Sequence, residues 1–193
     1  MRRTLPLLAI FLAGLFFFSC QPQNNGGMPF KKFMAAQLDY HRNGVDELLA
    51  KIEKSPDPAG ALAFRPGKDR AQIGWQLMHI AAADDSLLNG MLTTNEPLSA
   101  AHVETYQGSK RTPDEIPDLP LIKKYLKDTR DNLKTFIADM DMSKLNEKPH
   151  EKSWGTHLAG LQNALFHEAH HQGQAHLTFN LYKVHKGIAN ERK

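Results

Sequence analysis

A single cysteine, Cys20, is all the chain contains, so no disulfide can form within it and its stability rests on core packing or on a metal. Strand-like alternation of apolar and polar residues between turn signals is also missing, which argues against a sheet. So is a large excess of one charge. The formal net charge of +3 falls to +1 once Arg2 and Arg3 are set aside with the first 19 residues, and no footprint for nucleic acid remains. The apolar stretch from Leu5 to Phe18 is too short for a comfortable membrane span. What is present, 193 residues of which 41% are hydrophobic and 23% charged, suits one globular domain with a substantial core, neither disordered nor fibrous.

Residues 1–19 have the layout of a secretory signal: a basic start, an apolar stretch and a small residue, Ser19. With Cys20 directly after Ser19, the segment resembles a bacterial lipoprotein signal whose cysteine is lipidated after cleavage, although Phe17 and Phe18 depart from the usual Leu-Ala-type residues. An uncleaved anchor is the alternative. Either way the domain is expected outside the cytoplasm; on the lipoprotein reading it lies in the cell envelope, on the periplasmic or outer-membrane face, held to the membrane by lipid at Cys20. Residues 20–28 are polar and contain glycine, a tether that lets a domain at 29–193 stand off from the bilayer.

Four amphipathic helices are expected. The first spans Phe30 to about Lys54, with apolar residues three and four apart, and Pro56, Pro58 and Gly60 block its continuation. His41 lies at the edge of its stripe, which favours a bland role over a pocket-lining one. The second is capped by Asp69 with Gln72 three residues on, and Asn89-Gly90 offers a stop. Residues 92–116 lack periodicity and form a long connection, so the third helix is free to lie parallel to the second. That third helix starts near Asp118-Leu119-Pro120 and runs to Met140. Its charged residues, including Lys123, Lys127, Arg130 and Asp131, read as a solvated face. The fourth is capped by Ser153 or Thr156 and ends near Gly187. The fold class is therefore all-α.

The chemistry concentrates in His167-Glu168-Ala169-His170-His171-Gln172-Gly173-Gln174. On a helix His167 and His171 project from one face a turn apart, a two-tooth chelate. A catalytic divalent ion takes three protein ligands and an open position, so one more ligand must come from elsewhere. Gly160 and Ala164 leave room on the same face, flanked by Leu161 and Phe179 on one side and by Phe166, Leu177 and Leu181 on the other. Histidines amid so broad an apolar surface are expected to look inward. On the second helix, His79 lies to one side of the stripe, a position that suits both a cleft and solvent. His102, His150, His157 and His185 have no partner at ligand spacing and read as surface residues.

His167-Glu168-x-x-His171 also matches the zincin metalloprotease string, with Glu168 as general base. The surroundings do not match. Gln174 and Leu177 stand where the longer signature needs glycine and histidine, a downstream glutamate ligand could only be Glu191, and no strand accompanies the helix. The protease reading ranks last.

Together with Gly74-Trp75-Gln76-Leu77-Met78-His79-Ile80, the histidine motif resembles the DinB-like family of four-helix-bundle metal proteins, over approximately residues 30–187. The resemblance implies an up-down-down-up bundle with the long crossover between helices 2 and 3, and a metal held by His79, His167 and His171. Gln172 stands where arginine is frequent in the family. Relatives of this kind are metal-dependent thiol-transferases, isomerases or hydrolases. The implied reading is a zinc- or nickel-dependent hydrolase or thiol-transferase-like enzyme acting on a small molecule, with a homodimer left open. Export weighs against a cytosolic thiol cosubstrate and so favours hydrolysis. Gln174, Thr178 and Glu168 are the catalytic candidates, and Gln76 is a weaker one. The rival is a non-catalytic metal-binding envelope lipoprotein, in which a fourth ligand such as His41 or Glu168 closes the site.

Overall fold

The structure is a computed structural model that describes residues 29–107 and 115–188. The expected signal segment, the whole of the tether with Cys20, and Glu191 lie outside the described residues. Within them every regular element is helical. In chain order these are α1 (Phe30–Glu53), α2 (Pro58–Ala63), α3 (Ile73–Ser86, continued as a π-helix Leu87–Leu92), α4 (Ala100–Tyr106), α5 (Leu119–Asp139) and α6 (His157–His185), with a 3-10 turn at Met142–Lys144. No helix among the described residues is long and apolar enough to cross a membrane.

Local chemistry accounts for most of the boundaries. Asp57 caps α2, Asp118 accepts from the Leu121 amide at the start of α5, and Thr156 accepts from the Ala159 amide at the start of α6. Gly187 follows α6 with φ of 67°, the left-handed conformation that ends a helix at least cost to glycine. Asp69 does not cap α3. The helix starts at Ile73 without a side-chain cap, and the buried Gln76 side chain instead donates to the Ala71 carbonyl 3.2 Å away. Nor does Asn89-Gly90 stop it. The chain widens into the π-helix, which buries both Leu87-Leu88 and Met91-Leu92. It ends where the Thr93 amide donates to the Leu88 carbonyl. The long connection also carries a helix of its own, α4, which presents only Tyr106 as a buried side chain.

Two apolar clusters fill the interior. One gathers Val45, Leu48 and Ile52 of α1 with Ile73 to Ala82 of α3, Ile122 and Leu126 of α5, and Ala175, Phe179 and Tyr182 of α6. The other gathers Met34 and Leu38 of α1 with Leu87 to Leu92, Leu133 and Ile137 of α5, and Leu161 and Ala164 of α6. In sequence, four of the five buried charged residues, Arg42, Asp84, Arg130 and Glu168, fall between the two sets, one on each long helix; the fifth is Asp85 beside Asp84. Arg42 Nε donates to Glu168 Oε1 at 2.8 Å and its Nη2 lies 3.5 Å from Asp84 Oδ2. Arg130 pairs with Glu168 and, at 3.4 Å, with Asp84. Arg130 is thus no part of a solvated face: it is only 4% exposed, because two buried carboxylates require cations beside them.

Candidate metal centre

His79 on α3 and His167 and His171 on α6 come together, with one ligand-capable atom of each within 4.8 Å of the others. The Nε2 atoms of His79 and His167 are 3.1 Å apart. Nitrogens that each sit about 2.0–2.1 Å from one ion take up a separation of this size. The His171 ring lies 4.5 Å from that of His79 and 4.4 Å from that of His167, centroid to centroid.

The other face of His79 is fixed. Its Nδ1–H donates to the Tyr106 carbonyl at 2.5 Å, and the buried Trp75 indole stacks on the ring at 4.5 Å with planes 15° apart. With the proton on Nδ1, the lone pair is on Nε2, directed at His167. Burial first, then the neighbouring His79, push His167 down to about 4, and the same two causes lead for His171 at about 3. All three rings are half-buried, and both α6 imidazoles are neutral at neutral pH, the form a metal requires. His167 Nδ1 and His171 Nδ1 are buried without a hydrogen-bond partner, which marks an unmet polar demand at the cluster. Three imidazole donors fit a divalent transition-metal ion.

Tyr106 is the last residue of α4, and Asp85 anchors the chain that leads into that helix. One Asp85 oxygen accepts from Asn89 Nδ2 at 2.7 Å and the Leu98 amide at 2.9 Å. The other accepts from the Ser99 amide at 3.1 Å and the Tyr125 hydroxyl at 2.7 Å. Burial, then Asp85, pushes the Tyr125 hydroxyl above its ordinary range, so it remains a donor. The ring of His102 packs on Tyr125 at 4.7 Å. It is a half-buried residue on α4, within the crossover, not a surface one.

The remaining sequence candidates divide. Thr178 is buried, donating to the Gln174 carbonyl at 2.8 Å and accepting from Gln76 Nε2 at 3.2 Å. Gln174 is exposed, with its amide 2.8 Å from His170 Nε2. Glu168 is fully buried between Arg42 and Arg130. His41 stands edge-on to Tyr40 and lies outside the histidine group. The Gln172 amide occupies the space a side chain at Gly44 would need. Two expectations about the histidine face change. Gly160 is packed against Met91 and Leu92 and leaves no free space, because the π-helix swings those side chains onto it. Phe166 and Leu177 are 70% and 61% exposed, because the buried arc of α6 runs instead through Leu161, Ala164, Glu168, Ala175 and Phe179. The sequence pattern assigns no site role to Trp75, Asp85 or the main-chain carbonyl of Tyr106; the signals it carries are the place of Trp75 in the Gly74–Ile80 motif and the Asp84-Asp85 pair inside an apolar run.

A family model described as the DinB superfamily matches residues 37–175, a span that takes in the three clustered histidines and the buried charges Arg42, Asp84, Asp85, Arg130 and Glu168. The chain belongs to the DinB superfamily. Among solved structures, a conserved protein from Enterococcus faecalis matches at 20% identity with a TM-score of 0.62, over 80% of this chain and 98% of that one. At that identity the likeness shows a shared fold. A search of curated proteins returns no match. This DinB-superfamily chain thus has an all-helical fold in which three neighbouring histidines can hold a metal.

Proposed function

We propose that this DinB-superfamily protein is a metal-dependent enzyme, with a divalent ion held by His79, His167 and His171 and a small-molecule substrate. The observation that carries the reading is the Nδ1 hydrogen bond from His79 to the Tyr106 carbonyl, which leaves Nε2 3.1 Å from the Nε2 of His167. A ligating histidine is oriented in this way in metalloproteins generally. When bound, zinc or nickel would supply a charge that lowers the pKa of a water or thiol. Hydrolysis ranks above thiol transfer on the exported character read from residues 1–20. The distribution of the two apolar clusters supports an up-down-down-up bundle. One cluster draws on the C-terminal halves of α1 and α6 and the N-terminal halves of α3 and α5.

A second reading has its own support. Glu168 is held by two arginines, and Thr178 is committed to Gln76 and a carbonyl. Neither is set up as a general base. In that reading the ion only ties α3 to α6 in a non-catalytic envelope protein. Elemental analysis of the purified chain and of a His167→Ala/His171→Ala variant tests both. One equivalent of zinc or nickel in the wild type and none in the variant is expected, and a metal-free wild type overturns both readings. Ester or amide hydrolysis abolished by chelation selects the enzyme. A large chelation-dependent drop in Tm without hydrolysis selects the structural role.

A further inference from the structure

The two elements that bring the histidines together carry almost no charge. From Ile73 to Leu92, and from His157 to Tyr182, the only Asp, Glu, Lys or Arg residues are Asp84, Asp85 and Glu168. All three are buried and held: Asp84 and Glu168 against Arg42 and Arg130, and Asp85 by the Leu98 and Ser99 amides and the Tyr125 hydroxyl. On α4, which supplies the Tyr106 carbonyl, the one such residue is the exposed Glu104. An outward helix face is ordinarily charged. α5 follows that rule, with Lys124 paired to Asp128 and Lys127 to Asp131, and the outward face of α6 does not. Among the described residues, these three helices therefore offer no cation to an anionic substrate.

Beside the histidine pair, α6 presents a ridge of side chains four residues apart, Phe166, His170 and Gln174. The Gln174 amide nitrogen lies 2.8 Å from His170 Nε2. The Phe166 ring stacks on that of His170 at 5.9 Å with planes 16° apart, and the His170 ring stands edge-on to that of His171 at 4.9 Å. A continuous row of rings thus runs from the histidine cluster to Phe166, which is 70% exposed. Single exposed apolar side chains are common, but this one is held in place at the end of a row that begins at the cluster.

We infer that the histidine centre takes an uncharged ester or amide whose aromatic group lies on Phe166, which makes Phe166 a specificity-determining residue. An aromatic group gains there by stacked or edge-on contact with the ring. A charged group in the same place would give up hydration with no partner to replace it. The inference rests on the enzyme reading above and names the substrate class of that site.

The test is calorimetric titration of the zinc-loaded full chain with acetohydroxamate, benzohydroxamate and 4-carboxybenzohydroxamate, whose shared head group chelates an open metal ion. Benzohydroxamate is expected to bind about tenfold tighter than acetohydroxamate, and the added carboxylate to cancel that gain. Phe166 is exposed, so Phe166→Ala keeps the fold. It should bring benzohydroxamate to within about threefold of acetohydroxamate and leave acetohydroxamate unchanged. Val184→Ala, about 20 Å along α6 from His171, should alter neither. Equal binding of the first two, a gain retained in Phe166→Ala, or undiminished binding of the carboxylated compound each overturns the inference and leaves the open metal centre standing. If the chain takes up no zinc, or none of the three binds, the enzyme reading falls and this inference with it.

Discussion

The carbonyl of Tyr106, on the short helix of the crossover, accepts the Nδ1 proton of His79 at 2.5 Å. A connecting segment therefore sets the tautomer of a residue on α3, and Asp85 holds the start of that segment through the Leu98 and Ser99 amides. Asp85→Ala is expected to lower metal affinity about 10–100-fold, the usual cost of losing support behind a ligand, with all three histidines in place. Competition with a chromophoric chelator measures it. Wild-type affinity in a folded Asp85→Ala protein would show that the crossover does not govern His79.

Glu168 is the one carboxylate in the histidine motif, and it faces two arginines. Removing one partner from a buried ion network leaves uncompensated charge and costs about 3–5 kcal/mol. Glu168→Ala should therefore lose about that much stability in urea unfolding while the three histidines remain. If stability holds and only hydrolysis is lost, Glu168 acts at the metal and not in the network.

The long helices were legible because their apolar stripes recur at three and four residues. Met34, Leu38, Val45 and Leu48 are buried along α1, and Asp118 and Thr156 do cap α5 and α6. α4 was not legible, since a helix with one buried side chain has no stripe. The π-helix hid behind Asn89-Gly90, which on local propensity ends a helix. Tertiary burial of Leu87, Leu88, Met91 and Leu92 outweighs it. Arg42 and Arg130 each sit four residues after a core leucine and three before the next core residue. Their positions were core positions from the start. Reading Arg130 with its lysine neighbours put it in solvent. The proximity of His167 and His171 followed from spacing. The place of His79 depended on a main-chain carbonyl, which no side-chain pattern records.

The acidic limb of stability carries a signature of the cluster. His167 is pushed from its ordinary 6.5 to about 4 and His171 to about 3. Above pH 6.5 neither the folded nor the unfolded chain protonates these rings. As pH falls from 6.5 toward 3, the unfolded chain takes up protons that the folded chain refuses, so stability falls across that window. The metal-free wild type should lose Tm through it more steeply than His167→Ala/His171→Ala, and the difference between the two curves removes the carboxylate contribution. Parallel curves would mean that the rings are hydrated and ordinary in solution.

Gly173 sits in the middle of α6, exposed, and a Cβ built there meets nothing within 4 Å. Glycine inside a helix is worse than alanine by about 0.5–1 kcal/mol, so Gly173→Ala should raise stability by that amount and leave metal content unchanged. The position also probes the apolar arc of α6. Helical spacing places Gly173 beside Phe166, Leu177 and Val184, of which Val184 is 68% exposed. If a second copy of the chain covers this arc, the added methyl group would fall within the contact. Gly173→Ala would then lower Tm and shift sedimentation toward the monomer. A stabilised variant with unchanged sedimentation is the outcome expected for a face that meets water.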